Sequence, residues 1–349
     1  MEKLQYLTDS YDEKIKRVNA INAPFSFVFL TDMHNRLNEL DFRWQNVPFA
    51  PAEKSFAVNT VESIEYVLRR CPQIRYVISG GDIGNDYDPD PEVIRESYRE
   101  IMAALYGLSV PAHHCIGNHD DVTGTFRIGL YGNVNFRADF AVLPAEMHAL
   151  CMRNNPTDEN YYYIDHGEDR DEYRLVFLNT SDKNYKINPE TGFYDNYVEI
   201  SDRQIEWLEE DALATERKVI VFSHVPVSHV GIFGSGPPPS RIAKENELRN
   251  GDRVQCILKK HRNVIAQIAG HVHADNVNMD DDLPTVTTLC SLIQKMPGSP
   301  DEKMPVRTVG EYTETAFDVF SVKGDKLYIT RFGAGEDRVV EIKRNVMQK

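Results

Sequence analysis

Residues 25–35 read FSFVFLTDMHN. Five of the first six are apolar, a short continuous run that fits a strand covered on both faces. The run then stops at Asp32 and His34, a carboxylate and an imidazole two positions apart. In layered α/β folds the ligand crevice lies beyond the carboxyl ends of the strands, so a polar residue just past such a run points into it.

Four other apolar runs end the same way. Tyr76–Ile78 leads into SGGDIGND with Asp82, and Cys115–Ile116 into GNHDD with Asn118 and His119. Val219–Phe222 leads into SHVP with His224, and Ile265–Ala269 into GHVHAD with His271 and His273. A lone Asp after a strand is usually a helix cap or turn residue. Five coincident endings are not explained that way. All the side chains are nitrogen or oxygen donors, a mix that suits Mn, Fe or Zn and excludes a thiolate site. Asp32/His34 and His271/His273 are spaced i, i+2, which in extended backbone puts both side chains on one face. Gly80, Gly81, Gly117 and Gly270 precede the candidates and permit sharp turns or close approach to a bound group.

The surroundings are those of an α/β protein. Amphipathic helices are expected over residues 58–70, 91–105, 201–213 and around 254–261, alternating with apolar runs at 75–79, 110–116, 161–164, 174–178, 218–222 and 264–269. Residues 316–322 and 327–331 form a hairpin, and these late strands imply a mixed sheet or a second sheet. The breaks near 36–53, 124–137, 183–197, 231–240 and 296–302 lack the length and composition of domain linkers. Residues 1–349 therefore read as one domain, with 1–23 an N-terminal helix on the core.

The chain of 349 residues is 41% hydrophobic, enough for a large core, and carries a formal net charge of -15. It contains no block of Lys and Arg, so nucleic acid is a poor main partner, and an acidic surface repels anionic membranes. No run of about twenty apolar residues marks a membrane span. The five cysteines are widely spaced and lack a CxxC pair, which with the charged N-terminus reads as reduced thiols in the cytoplasm.

Together, D-x-H (Asp32, His34), G-D-x-x-N (Gly81, Asp82, Asn85), G-N-H-D (Gly117, Asn118, His119, Asp120), the single His224 and G-H-x-H (Gly270, His271, His273) resemble the calcineurin-like metallophosphoesterase superfamily. The motifs fall in the family's order and span about 240 of the 349 residues. The resemblance implies a four-layer αββα sandwich with two mixed β-sheets and two metal ions at the carboxyl edge. Carried over by position, one ion takes Asp32, His34, Asp82 and His273, and the other takes Asp82, Asn118, His224 and His271. Asp82 bridges the two. A metal-bridging hydroxide attacks a small phosphorylated substrate in line, and His119 stabilises the leaving group.

Departures place the chain within the superfamily. Asp120 stands where the phosphoprotein phosphatases carry Glu, and Asn85 where purple acid phosphatases carry a Tyr ligand. The pattern is closest to the phosphodiesterase and nucleotide-cleaving branches. Some relatives orient the catalytic His with an Asp at the Asn85 position, and Asp120 or Asp86 could substitute for it here. Asn35, Arg36 and Asn85 are candidate phosphate contacts. The expected activity is phosphodiester hydrolysis. A monoesterase or nucleotidase on small metabolites is the rival enzyme, and a non-catalytic scaffold the rival from another class. The stretch TRFGAGEDR, residues 330–338, reads as a strand and a charged turn with no chemical role.

Overall fold

The structure is a computed structural model that describes residues 9–35, 37, 56–84, 90–123, 141–167, 173–190, 192, 194, 197–229, 247–291, 307 and 311–344. In chain order the main elements are α1 (Asp12–Ile21), β1 (Phe25–Leu30), α2 (Phe56–Leu68), β2 (Ile74–Ser79), α3 (Pro91–Tyr106), β3 (Ala112–His114) and α4 (Pro144–Cys151). There follow β4 (Tyr162–His166), β5 (Tyr173–Phe177), α5 (Asp202–Trp207), β6 (Lys218–Ser223), α6 (Gly251–Lys260), β7 (Val264–Ala269), β8 (Asn276–Asp280) and β9 (Leu283–Thr287). The chain ends with β10 (Ala316–Lys323), β11 (Lys326–Gly333) and β12 (Arg338–Glu341).

Two six-stranded sheets result, in the orders β12-β11-β10-β1-β2-β3 and β4-β5-β6-β7-β9-β8. Each is mixed. One half of the first, β1-β2-β3, is parallel, and so is the run β5-β6-β7-β9 of the second. The late hairpin adds antiparallel strands to the first sheet through β1 and β10, so the late strands extend a mixed sheet and do not form a second one.

The sheets meet face to face through aromatic rings. Phe27 and Phe29 share one face of β1, and their ring centroids lie 5.4 and 6.0 Å from that of Phe222 on β6. Phe25 stacks on Tyr173 of β5 at 4.9 Å. Val28 and Leu30 take the other face of β1, in one apolar cluster with Val61 and Ile64 of α2 and Tyr98 and Ile101 of α3. On the far side of the second sheet, Val219 and Val221 of β6 cluster with Ile205 of α5 and with Val254 and Leu258 of α6. The layers therefore run helix, sheet, sheet, helix, and all six residues of β1 are buried, as its largely apolar run requires.

Local signals account for several ends. Asp90 caps α3 by accepting from the Glu92 N–H, with Pro91 at the first helical position. Ser201 caps α5 by accepting from the Gln204 N–H. The Gln204 side chain does not close a capping box. Its Oε1 accepts from Asn179 N–H, and its Nε2 donates to the Asn179 carbonyl. The last turn of this helix, Leu208–Ala212, is a π-turn. The β8–β9 hairpin was not expected, because Asn276–Asp280 is short, polar and half-buried, the character of an edge strand. The breaks at 38–53, 124–137, 231–240 and 296–302 lie outside the described residues.

Candidate metal centre

The five strand ends converge. Loops following β1 and β2 run side by side, hydrogen-bonded beyond the strands themselves. Gly80 N–H donates to the Leu30 carbonyl (2.8 Å), Asp32 N–H to Gly81 (3.0 Å) and His34 N–H to Asp82 (3.0 Å). Within the second sheet, the loops after β6 and β7 are joined in the same way, Gly270 N–H donating to the His224 carbonyl (3.0 Å). Two glycines make the approach possible. A Cβ on Gly117 would lie 2.0 Å from Asp82 Oδ1, and one on Gly270 would lie 2.0 Å from Thr31 Oγ1.

The side chains do not converge by the route expected. The i, i+2 pairs are not extended. Asp32, His34, Asp82, His271 and His273 all have positive φ, between 41° and 68°. The left-handed region disfavours residues with a Cβ, and such residues persist only where neighbours over-determine them, as the paired loops do here.

Asp32, His34, Asp82 and His273 are buried, and each offers a ligand atom within 4.8 Å of the other three. Asp32 Oδ2 accepts from Thr31 Oγ1 (2.8 Å) and from the His271 N–H (3.1 Å). Its Oδ1 has no hydrogen-bond partner among the described residues, although His273 Nε2 is 3.0 Å away. Asp82 Oδ1 accepts from the His119 N–H (2.9 Å), and Oδ2 turns to His34 Nε2 at 3.6 Å and His224 Nε2 at 3.1 Å. That oxygen lies between two groups of donors.

The second group is as tight. His224 Nε2 lies 3.0 Å from Asn118 Oδ1, and His271 Nδ1 lies 2.9 Å from the same oxygen. The other nitrogen of His224, Nδ1, is 2.8 Å from the Gly80 carbonyl, which can only accept. The Nδ1 proton is thus fixed, and neutral His224 presents a lone pair to two acceptor oxygens. Either a proton or a cation must sit among them. Burial disfavours charge on His224, but Asp82 and Asp32 outweigh it and raise its pKa to about 9 in the protein alone. Burial holds His34 and His271 down to about 3. Buried imidazoles and carboxylates with orphaned atoms fit metal ions, which replace such protons.

The remaining expected residues divide. His119 stands beside His34, ring centroids 5.3 Å apart and edge to face. Asp120 does not orient it. Both Asp120 oxygens are committed to Asp82, Ile83 and Gly117 N–H groups at 2.7–2.9 Å and to Tyr98 Oη at 3.1 Å. Burial, reinforced by Asp82, raises its pKa to about 6. Asn35 turns its amide nitrogen toward α3, and its Oδ1 has no hydrogen-bond partner among the described residues. It is buried, and its Nδ2 donates to the Ser97 carbonyl and Glu100 Oε2 of α3, both at 2.8 Å. Arg36, Asn85 and Asp86 lie outside the described residues.

One supporting pair went unread in the sequence. Lys183 and Asp121 form a buried ion pair at 2.8 Å that anchors the loop after His119, and nothing local to either residue signals it. A cavity of about 630 Å³ lined by Met102, Tyr106, Leu150 and Arg153, among others, opens beside α3 and α4 and contains none of the candidate ligand side chains. No helix among the described residues is long and apolar enough to cross a membrane.

The model of the calcineurin-like phosphoesterase family matches residues 25–275, which includes every motif above. This chain belongs to the calcineurin-like phosphoesterase family. It is a metal-dependent phosphoester hydrolase, and its family uses a dinuclear divalent metal centre. No curated protein matches the sequence. Among solved structures the phosphoesterase resembles a dimetal phosphatase from Danio rerio, at 16% identity and TM-score 0.60, covering 92% of this chain and 100% of that one. It also resembles GAP50, described as the anchor in the inner membrane complex of Plasmodium, at 12% identity and TM-score 0.53, covering 93% and 90%. At these identities the likeness is one of fold.

Proposed function

We propose that this phosphoesterase cleaves phosphodiesters at the centre formed by Asp32, His34, Asp82, Asn118, His224, His271 and His273. In this reading one ion of Mn, Fe or Zn is held by Asp32, His34, Asp82 and His273, and a second by Asp82, Asn118, His224 and His271. The observation that carries it is the placement of Asp82 Oδ2 between His34 and His224. When bound, such a pair supplies Lewis acidity to the phosphoryl group and to water.

The chain's own groups do the rest. Gly80 fixes the His224 tautomer, and Thr31 with the His271 N–H aims Asp32 by holding its Oδ2. The backbone of His119 is pinned on Asp82, so its imidazole is carried beside the first ion site. From there it delivers a proton to the leaving oxygen. The diester preference rests on the motif pattern, with Asn85 and Asp120 where the monoester-cleaving branches differ. The substrate is a small phosphorylated molecule. One apolar cluster running from Tyr11 to Ile342 supports a single domain, and widely spaced cysteines without a CxxC pair support a cytosolic setting.

The test is turnover of bis-p-nitrophenyl phosphate beside p-nitrophenyl phosphate, with Mn and Zn supplied in turn. Preference for the diester is expected. A clear preference for the monoester replaces this reading with a nucleotidase-like one, and no turnover of either by metal-loaded protein favours a scaffold.

A further inference from the structure

Residues 330–338, TRFGAGEDR, lie beyond the family match, which ends at 275. They carry half of a group of four charges, of which Arg331 and Asp318 are buried and Arg338 and Asp275 partly so. Arg331 on β11 and Asp318 on β10 are partners across the ladder. The guanidinium meets the carboxylate as a fork, Nε to Oδ1 at 2.8 Å and Nη2 to Oδ2 at 2.9 Å. Nη1 donates to the Ala334 carbonyl, and Nη2 also donates to Asp275 Oδ1. Arg338 on β12 repeats the arrangement, with Nη2 on Asp318 Oδ2 and Nη1 at 3.1 Å from Asp275 Oδ1. Two guanidinium groups and two carboxylates balance, which is the condition for burying any of them.

Asp275 connects this group to the metal centre. It follows His273 by two residues. Its Oδ1 also accepts from the Leu289 N–H (3.1 Å), and a Cβ at Gly335 would come within 2.9 Å of its Oδ2. The neighbouring Ala274 carbonyl accepts from Thr287 Oγ1 (2.9 Å), and the Thr287 carbonyl accepts from Arg338 Nη1 (2.9 Å). The segment leaving His273 is thus pinned, directly and through Thr287, to the late strands of the other sheet. His271 and His273 need such support, since their φ values are 68° and 52°.

We infer that Arg331 and Arg338, acting through Asp275, are positioning residues that hold the 270–275 loop so that His271 and His273 present their ring nitrogens to metal. The inference rests on the assignment of these histidines as ligands. It gives the late strands a share in building the centre, although they contribute no ligand themselves.

The experiment titrates folded, full-length protein with Mn²⁺ by calorimetry and measures kcat and KM separately. Asp275→Asn keeps shape and removes charge. Arg338→Ala leaves Asp318 and Asp275 still paired with Arg331, so one variant serves if the other does not fold. Both should weaken Mn²⁺ binding about 10–100-fold, the usual effect of losing a group that orients a ligand. kcat should fall more than KM rises, and Arg338→Lys should recover part of the affinity. Mn²⁺ affinity within twofold of the parent, with only a lower Tm, would overturn the inference and leave the network a strand fastening. A parent protein that binds no Mn²⁺ or Zn²⁺ would instead remove the ligand assignment beneath it.

Discussion

His224 Nε2 and Asp82 Oδ2 lie 3.1 Å apart, deep in the protein, with the second nitrogen of His224 already committed to the Gly80 carbonyl. The two residues come from different sheets, at the ends of β6 and β2. The contact is therefore also the seam of the sandwich, and whatever positive charge fills it joins the two halves. Fold and site depend on each other at this point.

His119 should separate chemistry from metal binding. Its backbone holds Asp82, and any residue but proline at 119 keeps that N–H. His119→Ala is expected to retain full metal content and to lose turnover by about 100-fold or more, the scale of a general acid. A variant with the parent's rate, under conditions where chemistry limits, would remove the imidazole from the mechanism.

Two histidines outside the metal centre make stability depend on pH. Burial holds His113 down to about 4 and His114 down to about 3. In the unfolded chain both would titrate near the ordinary value of about 6.5. Between these values the unfolded chain binds protons that the folded chain refuses. The contribution to stability is thus complete above about pH 6.5 and is lost as pH falls toward the folded values, by about 1.4 kcal/mol per pH unit for each group.

Neither ring nitrogen of His114 has a hydrogen-bond partner among the described residues. His114→Leu should therefore flatten the pH dependence by one group, making the loss from pH 6.5 to 5 smaller by about 2 kcal/mol. Urea unfolding at the two pH values measures it, and an unchanged difference contradicts the burial assigned to His114.

Phe222 is the ring on which the two sheets close, touching Phe27, Phe29 and Phe177. Phe222→Ala should cost about 3–5 kcal/mol, the range for emptying a buried aromatic site. It should also lower metal affinity, because His224 follows two residues later. Calorimetric melting checks the first claim. A loss under about 1 kcal/mol would mean that the face-to-face layer is not the principal core.

Much of this candidate centre was legible because each proposed ligand follows an apolar run, and a strand end is a local feature. Asp32, Asp82 and His271 can each be found without knowing their neighbours in space. Their backbone conformations cannot. The positive φ at Asp32 belongs with a hydrogen bond to Gly81, from a loop some fifty residues away. The placements of Asp120 and of the Asn35 amide nitrogen were hidden for a similar reason. Both follow metal motifs, yet their partners are backbone groups of other loops and the side of α3. Asp275 and Arg331 stand 56 residues apart and meet only when the late strands join the first sheet. No periodicity announces such a pair.

Elemental analysis of the purified protein and of Asp82→Ala tests the shared centre most directly. The parent should carry about two transition-metal ions per chain, and the variant fewer than about one, with hydrolysis at background. A variant that keeps both ions and turns over substrate would contradict a centre bridged by Asp82.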